Sequence, residues 1–167
     1  RAEPARVRAA EIIREDFLRS LQPDIVHIAS LFEGFDEEVI TSVSQHFPSA
    51  QTAVTLYDLI PLVYSTRYLP DSKSRDYYER KTENIKNAGL LLAISEFSRQ
   101  EGIDLLGCDP EDVVNISSAA DERFKPTAID PARAARLLSR YGIRRKFLMY
   151  TASFDSRKNQ TGLISAF

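Results

Sequence analysis

Two patterns of hydrophobic residues alternate along this chain. One is typical of helices and the other of buried strands. From Ala5 to Leu21, apolar residues recur every three or four positions with charged residues between them, which predicts an amphipathic helix. The segment from Asp24 to Ile28 is short and almost continuously apolar, as in a parallel strand buried on both faces. Asp36 then has the side chain of a helix N-cap, and the pattern after it predicts a helix that runs to about His46.

The same order of strand and helix continues to the end of the chain. Apolar or β-branched runs predict four more strands, at residues 52–56, 90–94, 113–116 and 147–150. The helices that follow these strands are predicted to begin near Asp71, Ser95, Asp130 and Asn159. Strands that alternate with helices form parallel sheets through right-handed crossovers. The predicted fold class is therefore α/β, with a doubly wound, Rossmann-like parallel sheet.

The candidate site residues are those that follow the strands, because ligands of such sheets bind beyond the carboxyl ends of the strands. They are Glu33, Gly34, Tyr57, Asp58, Ser95, Glu96 and the segments 117–121 and 153–159. The Asp58 carboxylate has two interpretations: it binds a sugar hydroxyl or holds a general base, or it caps the turn that follows. Gly34 likewise either lets a substrate approach the backbone or permits a turn with a positive φ angle.

Two adjacent cations, Arg157 and Lys158, stand between the last predicted strand and the last predicted helix. Unpaired backbone N–H groups and the dipole at the start of a helix attract anions. Arginine offers a planar fork to a phosphate, and lysine a mobile point charge, so the pair fits a diphosphate site. The alternative is a solvated pair of surface charges with no ligand.

Composition excludes several classes of protein. Lysine and arginine number 22 against 24 acidic residues, and the net charge of −2 gives no general attraction for nucleic acid. Cys108 is the only cysteine, which excludes an intrachain disulfide and favours a reducing compartment. The chain has one cysteine and two histidines, which are too few ligands for a typical Cys/His zinc site, and no metal site is expected. The sequence has neither the G-x-G-x-x-G fingerprint nor the P-loop pattern.

The order of several short segments resembles a known family. The segments are Pro23–His27, Ala53–Pro61, Ala93–Arg99, Asp121–Phe124, Tyr150–Asn159 and Leu163–Phe167. In this succession they resemble the pattern of glycosyltransferase family 4. More narrowly, they are similar to the mannosyltransferase-like members that build bacterial O-antigen and other surface polysaccharides. The Ser-Glu-Phe-Ser segment from Ser95 and the segment from Arg157 to Phe167 are the most specific parts.

The resemblance implies the GT-B arrangement, in which two Rossmann-like domains face each other across a cleft. It assigns residues 1–125 to the later part of the N-terminal, acceptor-side domain, 126–144 to a linker and helix, and 145–167 to the first strand and helix of the donor-side domain. It also implies that Lys158 contacts the donor diphosphate, with Arg157 beside it, while Tyr57 stands where the family often has histidine. The family's Glu-x7-Glu motif belongs to the donor-side domain, and residues 145–167, which the resemblance assigns to that domain, contain no glutamate.

The function that the resemblance implies is retaining transfer of a hexose, of which mannose is one candidate. The donor would be a nucleotide diphosphate sugar, and the acceptor a polysaccharide or a lipid-linked glycan, with no metal ion or other cofactor. Tyr57 and Asp58 would be the catalytic candidates in the cleft, with Glu33, Gly34 and Ser95 lining it. The expected location is cytoplasmic, and peripheral association with the inner face of the plasma membrane stays open.

Two further expectations concern the isolated chain. It opens on Arg1 and closes inside an amphipathic pattern, so we expect it to be an inactive piece of a longer enzyme. Unpaired sheet edges would then favour homodimerisation. The alternatives to a transferase are a receiver-like or flavodoxin-like signalling domain and a module that binds sugar without catalysis. A receiver would need an acidic pair after the first strand, where Ser30, Leu31 and Phe32 stand instead.

Overall fold

The fold is built on a parallel sheet with helices between its strands. The computed structural model describes residues 4–35, 39–46 and 52–167. The strands are β1 Val26–Ile28, β2 Thr52–Leu56, β3 Leu90–Ala93 and β4 Val113–Asn115. The helices are α1 Pro4–Ser20, α2 Ile60–Val63, α3 Ser65–Tyr68, α4 Ser72–Lys86, α5 Glu96–Leu106, α6 Pro131–Arg140 and α7 Gln160–Ala166.

The four strands lie in the order β1-β2-β3-β4, and each pairs with its neighbours in parallel. Such a ladder needs a crossover between successive strands, and the helices α4 and α5 supply two of them. The α/β class with an all-parallel, Rossmann-like sheet is therefore confirmed.

One face of the sheet carries the hydrophobic core. The register pairs Val54 with Leu91 and Leu91 with Val113, so these side chains point to the same face. Helix α4 contributes Ile85 and helix α5 contributes Leu106 to the same cluster. Each such side chain contributes roughly 1.5–3 kcal/mol when it is fully buried, so this layer fixes the helices against the strands.

Local capping chemistry sets the helix ends as predicted. The Asp71 carboxylate accepts a hydrogen bond from the Ser74 N–H (2.8 Å), and Asp130 accepts one from the Arg133 N–H (2.9 Å). Each cap satisfies a backbone donor that has no partner within its own helix. At the carboxyl end of α5, Gly107 adopts a φ of +71°, which glycine reaches without the cost that a Cβ atom adds.

The predicted helix from Asp36 to His46 is wrong for residues 39–46, which form an irregular segment; Asp36 itself lies outside the described residues. Side chains of α1 bind the backbone of this segment in place of helical hydrogen bonds. The Glu15 carboxylate accepts bonds from the N–H groups of Gln45 (3.2 Å) and His46 (2.8 Å). Arg14 donates to a backbone carbonyl in the same segment, that of Ser42 (2.6 Å).

The predicted strand at Phe147–Tyr150 is also wrong, because the structure gives these residues no regular secondary structure. The chain divides into two compact units, residues 1–120 and 121–167, and the second unit contains no strand that could pair with this segment. An extended segment becomes a strand only when a neighbour accepts its hydrogen bonds. The assignment of the units to acceptor-side and donor-side domains stays a prediction.

Candidate functional site

Three of the predicted site residues lie together at the carboxyl edge of the sheet. Tyr57 and Asp58 follow β2, and Ser95 follows the adjacent strand β3. The hydroxyl of Ser98, in the first turn of α5, donates to the carbonyl oxygen of Tyr57 (2.7 Å). That bond joins the segment after β2 to the start of the helix after β3, so the two strand ends form one surface.

The side chains on this surface differ in how their polar atoms are used. One oxygen of the Asp58 carboxylate accepts a hydrogen bond from the Ile60 N–H (3.1 Å), as the capping interpretation requires. The Ser95 hydroxyl accepts a bond from the Ser98 N–H (3.1 Å) and caps α5. Tyr57 is 52% exposed. The Tyr57 side chain is therefore open to a ligand at this edge.

Glu33 and Gly34 lie in the segment after β1, which α4 holds by its side chains. The Tyr77 hydroxyl bonds to the carbonyl oxygens of Phe32 (2.8 Å) and Glu33 (2.7 Å). Lys81 donates to the same Glu33 carbonyl (3.1 Å). We call these contacts of Tyr77 and Lys81 with the carbonyls of residues 32 and 33 the α4 anchor.

The structure favours the turn interpretation of Gly34. Its φ angle is +80°, and a Cβ atom at this position would overlap the Cβ of Val39. The close neighbour of this glycine is thus another part of the chain, and the positive φ angle and the approach of Val39 together require a residue without a side chain.

Lys81 is a buried charged residue of this region that sequence reasoning missed. Its side chain is 1% exposed, and its ammonium group donates to the Thr41 hydroxyl and lies 5.0 Å from the centroid of the Tyr77 ring. Burial, together with the nearby charges of Arg80 and Arg14, lowers the pKa of Lys81 to about 8, although the charge of Glu33 acts in the opposite direction. The signal in the sequence was a lysine on the apolar stripe of a helix.

The buried ammonium group predicts a stability that increases with pH. The pKa of Lys81 is lower in the folded protein than in the unfolded chain, so the unfolded chain holds more protons above pH 8. We expect the free energy of unfolding to rise by about 1 kcal/mol between pH 7 and pH 9, measured by urea denaturation.

The variant Lys81→Met provides the control for this prediction. Burial raises the pKa values of Cys108 and Tyr78, and both groups remain in the variant, so the difference between the two proteins isolates Lys81. Equal pH profiles for the variant and the original chain would show that Lys81 titrates normally.

A cavity of about 650 Å³ lies between α1, the segment after β1 and α4. It is lined by Val7, Arg8, Glu11, Gly34, Phe35, Val39, Ile40, Thr41, Gln45, His46, Lys73, Asp76, Tyr77, Arg80 and Asn84. Phe35 and Tyr77 meet edge to face at 5.0 Å, and Lys73 lies 4.4 Å from the centre of the Phe35 ring. The volume is typical of small-molecule sites, and aromatic faces beside carboxylate, amide and guanidinium groups suit a polyhydroxylated ligand.

Arg157 and Lys158 lie in the second unit, in a 3₁₀ turn at Ser156–Lys158 just before α7. The Arg157 Nε atom is 3.8 Å from an oxygen of Asp155, so its charge is partly compensated. Lys158 makes no ion pair within residues 121–167, all of which the structure describes. Of the two cations, Lys158 is therefore the more available to an anionic ligand.

The known proteins that are similar to this chain include several mannosyltransferases. Two serotype-specific mannosyltransferases WbdA of Escherichia coli are 32% and 31% identical over 162 residues, which is 97% of this chain and 20% of each of those proteins. The O-antigen chain mannosyltransferase B of Escherichia coli is 27% identical over 118 residues, covering 70% of this chain and 30% of that protein.

This chain is similar to bacterial mannosyltransferases along nearly its whole length. It spans about a fifth of the length of the first relatives it matches. No family model matches the chain, and no solved structure matches it. The similarity to O-antigen mannosyltransferases that the motifs indicate is thus confirmed.

Two observations concern the residues that the structure describes. No helix among these residues is long and apolar enough to cross a membrane. No group of three or more histidine, cysteine, aspartate or glutamate side chains converges in the described part of the chain as metal ligands would. The roles assigned to Tyr57, Asp58, Glu33, Arg157 and Lys158 remain predictions.

Proposed function

We propose that this chain is part of a retaining glycosyltransferase of family 4 with the GT-B architecture. The enzyme transfers a hexose, with mannose as the first candidate, from a nucleotide diphosphate sugar to a polysaccharide or a lipid-linked glycan. The observation that carries this proposal is the 32% identity to mannosyltransferases over 97% of the chain. The parallel α/β sheet supports it, because GT-B domains are built on such sheets.

The acceptor glycan binds the first unit in this proposal. Tyr57 offers an exposed ring and Asp58 an exposed carboxylate at the carboxyl edge of the sheet, with the hydroxyl of Ser95 beside them. The cavity next to Glu33 and Gly34 takes a further sugar of the acceptor, since its aromatic pair and its polar groups match the faces and hydroxyls of a pyranose ring.

The donor diphosphate binds Lys158, assisted by Arg157. During transfer, the bond between the anomeric carbon and the diphosphate oxygen breaks, and the acceptor oxygen forms a bond to that carbon. The proton of the acceptor hydroxyl passes to the departing diphosphate oxygen. Negative charge accumulates on the departing diphosphate, so a fixed cation stabilises the transition state more than the ground state. We assign no step to a metal ion or another cofactor. We place the enzyme in the cytoplasm.

A transfer assay with the full-length protein tests this proposal. The protein is incubated with a series of nucleotide diphosphate hexoses and a mannose oligosaccharide acceptor. Release of nucleoside diphosphate and the mass of the product are measured, and the anomeric configuration is read by NMR. We expect the configuration of the donor sugar to be kept in the product. An inverted product would contradict the retaining mechanism, and glycan binding without transfer from any donor would favour a sugar-binding module.

A further inference from the structure

The second unit carries a concentration of positive charge that the proposed active site does not use. Between Asp130 and Asp155 the chain has no acidic residue and six basic ones, which are Arg133, Arg136, Arg140, Arg144, Arg145 and Lys146. All six side chains are exposed, and none makes an ion pair within the fully described segment 121–167. The whole chain has a net charge of −2, so this cluster of six positive charges differs strongly from the average of the chain. We call it the basic patch.

Helix α6 places three of these cations in a single row. Arg133, Arg136 and Arg140 are spaced by three and four residues, so they lie within about 60° of one another around the helix. Arg144, Arg145 and Lys146 follow directly after the helix.

Apolar side chains lie beside the arginine row. Leu137, four residues after Arg133, is 52% exposed, and Tyr141, at the carboxyl end of the helix, is 68% exposed, whereas Leu138 is more covered. A helix with a basic stripe and exposed apolar residues alongside it is the type that lies in the interface of a membrane. Its cations meet lipid phosphates while its apolar side chains enter the acyl boundary.

We propose that the basic patch binds an anionic phospholipid surface, with α6 lying parallel to the membrane plane. Charge complementarity supports this choice of partner, since unpaired cations near an anionic leaflet are each drawn to it. The exposed Leu137 and Tyr141 favour lipid over nucleic acid, because a phosphate backbone offers no apolar layer for them. The inference does not depend on transferase activity, since it rests on the charge and exposure of this one segment.

Co-sedimentation of the 167-residue chain with vesicles tests the proposal. Vesicles of phosphatidylcholine alone are compared with vesicles that also contain phosphatidylglycerol. We expect binding only to the anionic vesicles, with an affinity that falls as salt is raised. The triple substitution Arg133→Gln, Arg136→Gln and Arg140→Gln should weaken this binding about 100-fold, since each cation contributes about fivefold.

Two further variants keep the result interpretable. Arginine-to-lysine substitution at the same three positions retains the charge and should bind nearly as well as the original chain. Replacing the exposed cations Arg6, Arg19 and Lys86 of the first unit by glutamine changes the net charge equally and should leave vesicle binding within about threefold. Thermal unfolding checks that each variant is folded.

Three outcomes would overturn the proposal. The first is equal binding to both kinds of vesicle, because it would show that charge is not recognised. The second is an equal loss in the two glutamine variants, because it would assign the effect to net charge. The third is displacement of the chain from vesicles by a small amount of double-stranded DNA, which would make nucleic acid the better partner.

Discussion

Replacing Lys158 by alanine in the full-length protein is expected to lower kcat/KM for the nucleotide sugar by about 100-fold or more. The physical reason is that one fixed donor to the charge of a transition state typically contributes a factor of about 10² to 10³. Lys158 lies in the turn before α7, is exposed and makes no ion pair in the second unit. Its ammonium group is therefore available to the departing diphosphate. Steady-state kinetics with the donor varied gives the measurement.

Two variants accompany this experiment. Lys158→Arg keeps the charge but changes its geometry, so we expect it to recover a part of the activity. Lys125→Ala removes an exposed lysine from the same unit and should leave the kinetics unchanged. If Lys158→Ala retains activity within about threefold of the original enzyme, the diphosphate binds elsewhere, although the transferase activity itself would stand.

Replacing Gly34 by alanine is expected to destabilise the first unit by about 3 kcal/mol. A residue with a Cβ atom loses roughly 1–2 kcal/mol in the left-handed region, and Gly34 has a φ angle of +80°. The new methyl group would also overlap the side chain of Val39, and forced overpacking costs about 1–3 kcal/mol more. Urea denaturation of the two proteins measures the difference.

Gly107→Ala provides a matched control for this substitution. Gly107 also has a positive φ angle, +71°, but a Cβ atom there would meet no atom within 4 Å. We therefore expect a loss of about 1 kcal/mol, from backbone strain alone. Equal losses at the two positions would show that the contact with Val39 adds nothing and that the segment after β1 adapts freely.

Features that depend on residues close together in the sequence were predicted well. The caps Asp71, Ser95 and Asp130 each bind a backbone group three residues away, so the short segment that suggests the cap also contains its partner. The placement of Tyr57 and Ser95 at one edge follows in the same way, because parallel strands bring their carboxyl ends together.

Features decided by distant partners were not predictable. Residues 39–46 have the spacing of a helix, yet Glu15 of α1 binds the backbone of Gln45 and His46 from 30 residues away. Local propensity cannot anticipate such a competitor. The cavity was missed for the same reason, since Glu11 and Arg8 in its lining belong to a helix that follows no strand of the described sheet.

The α4 anchor has a consequence for engineering this region. Tyr77 and Lys81 both bind position 33 through its main-chain carbonyl oxygen, which every amino acid possesses. The Glu33 side chain, by contrast, is exposed and contacts the nearby Ser30 hydroxyl at 2.9 Å. These two main-chain contacts therefore tolerate a change of side chain at position 33, except to proline. A saturation library at this codon would alter the chemistry presented to a ligand on an unchanged scaffold.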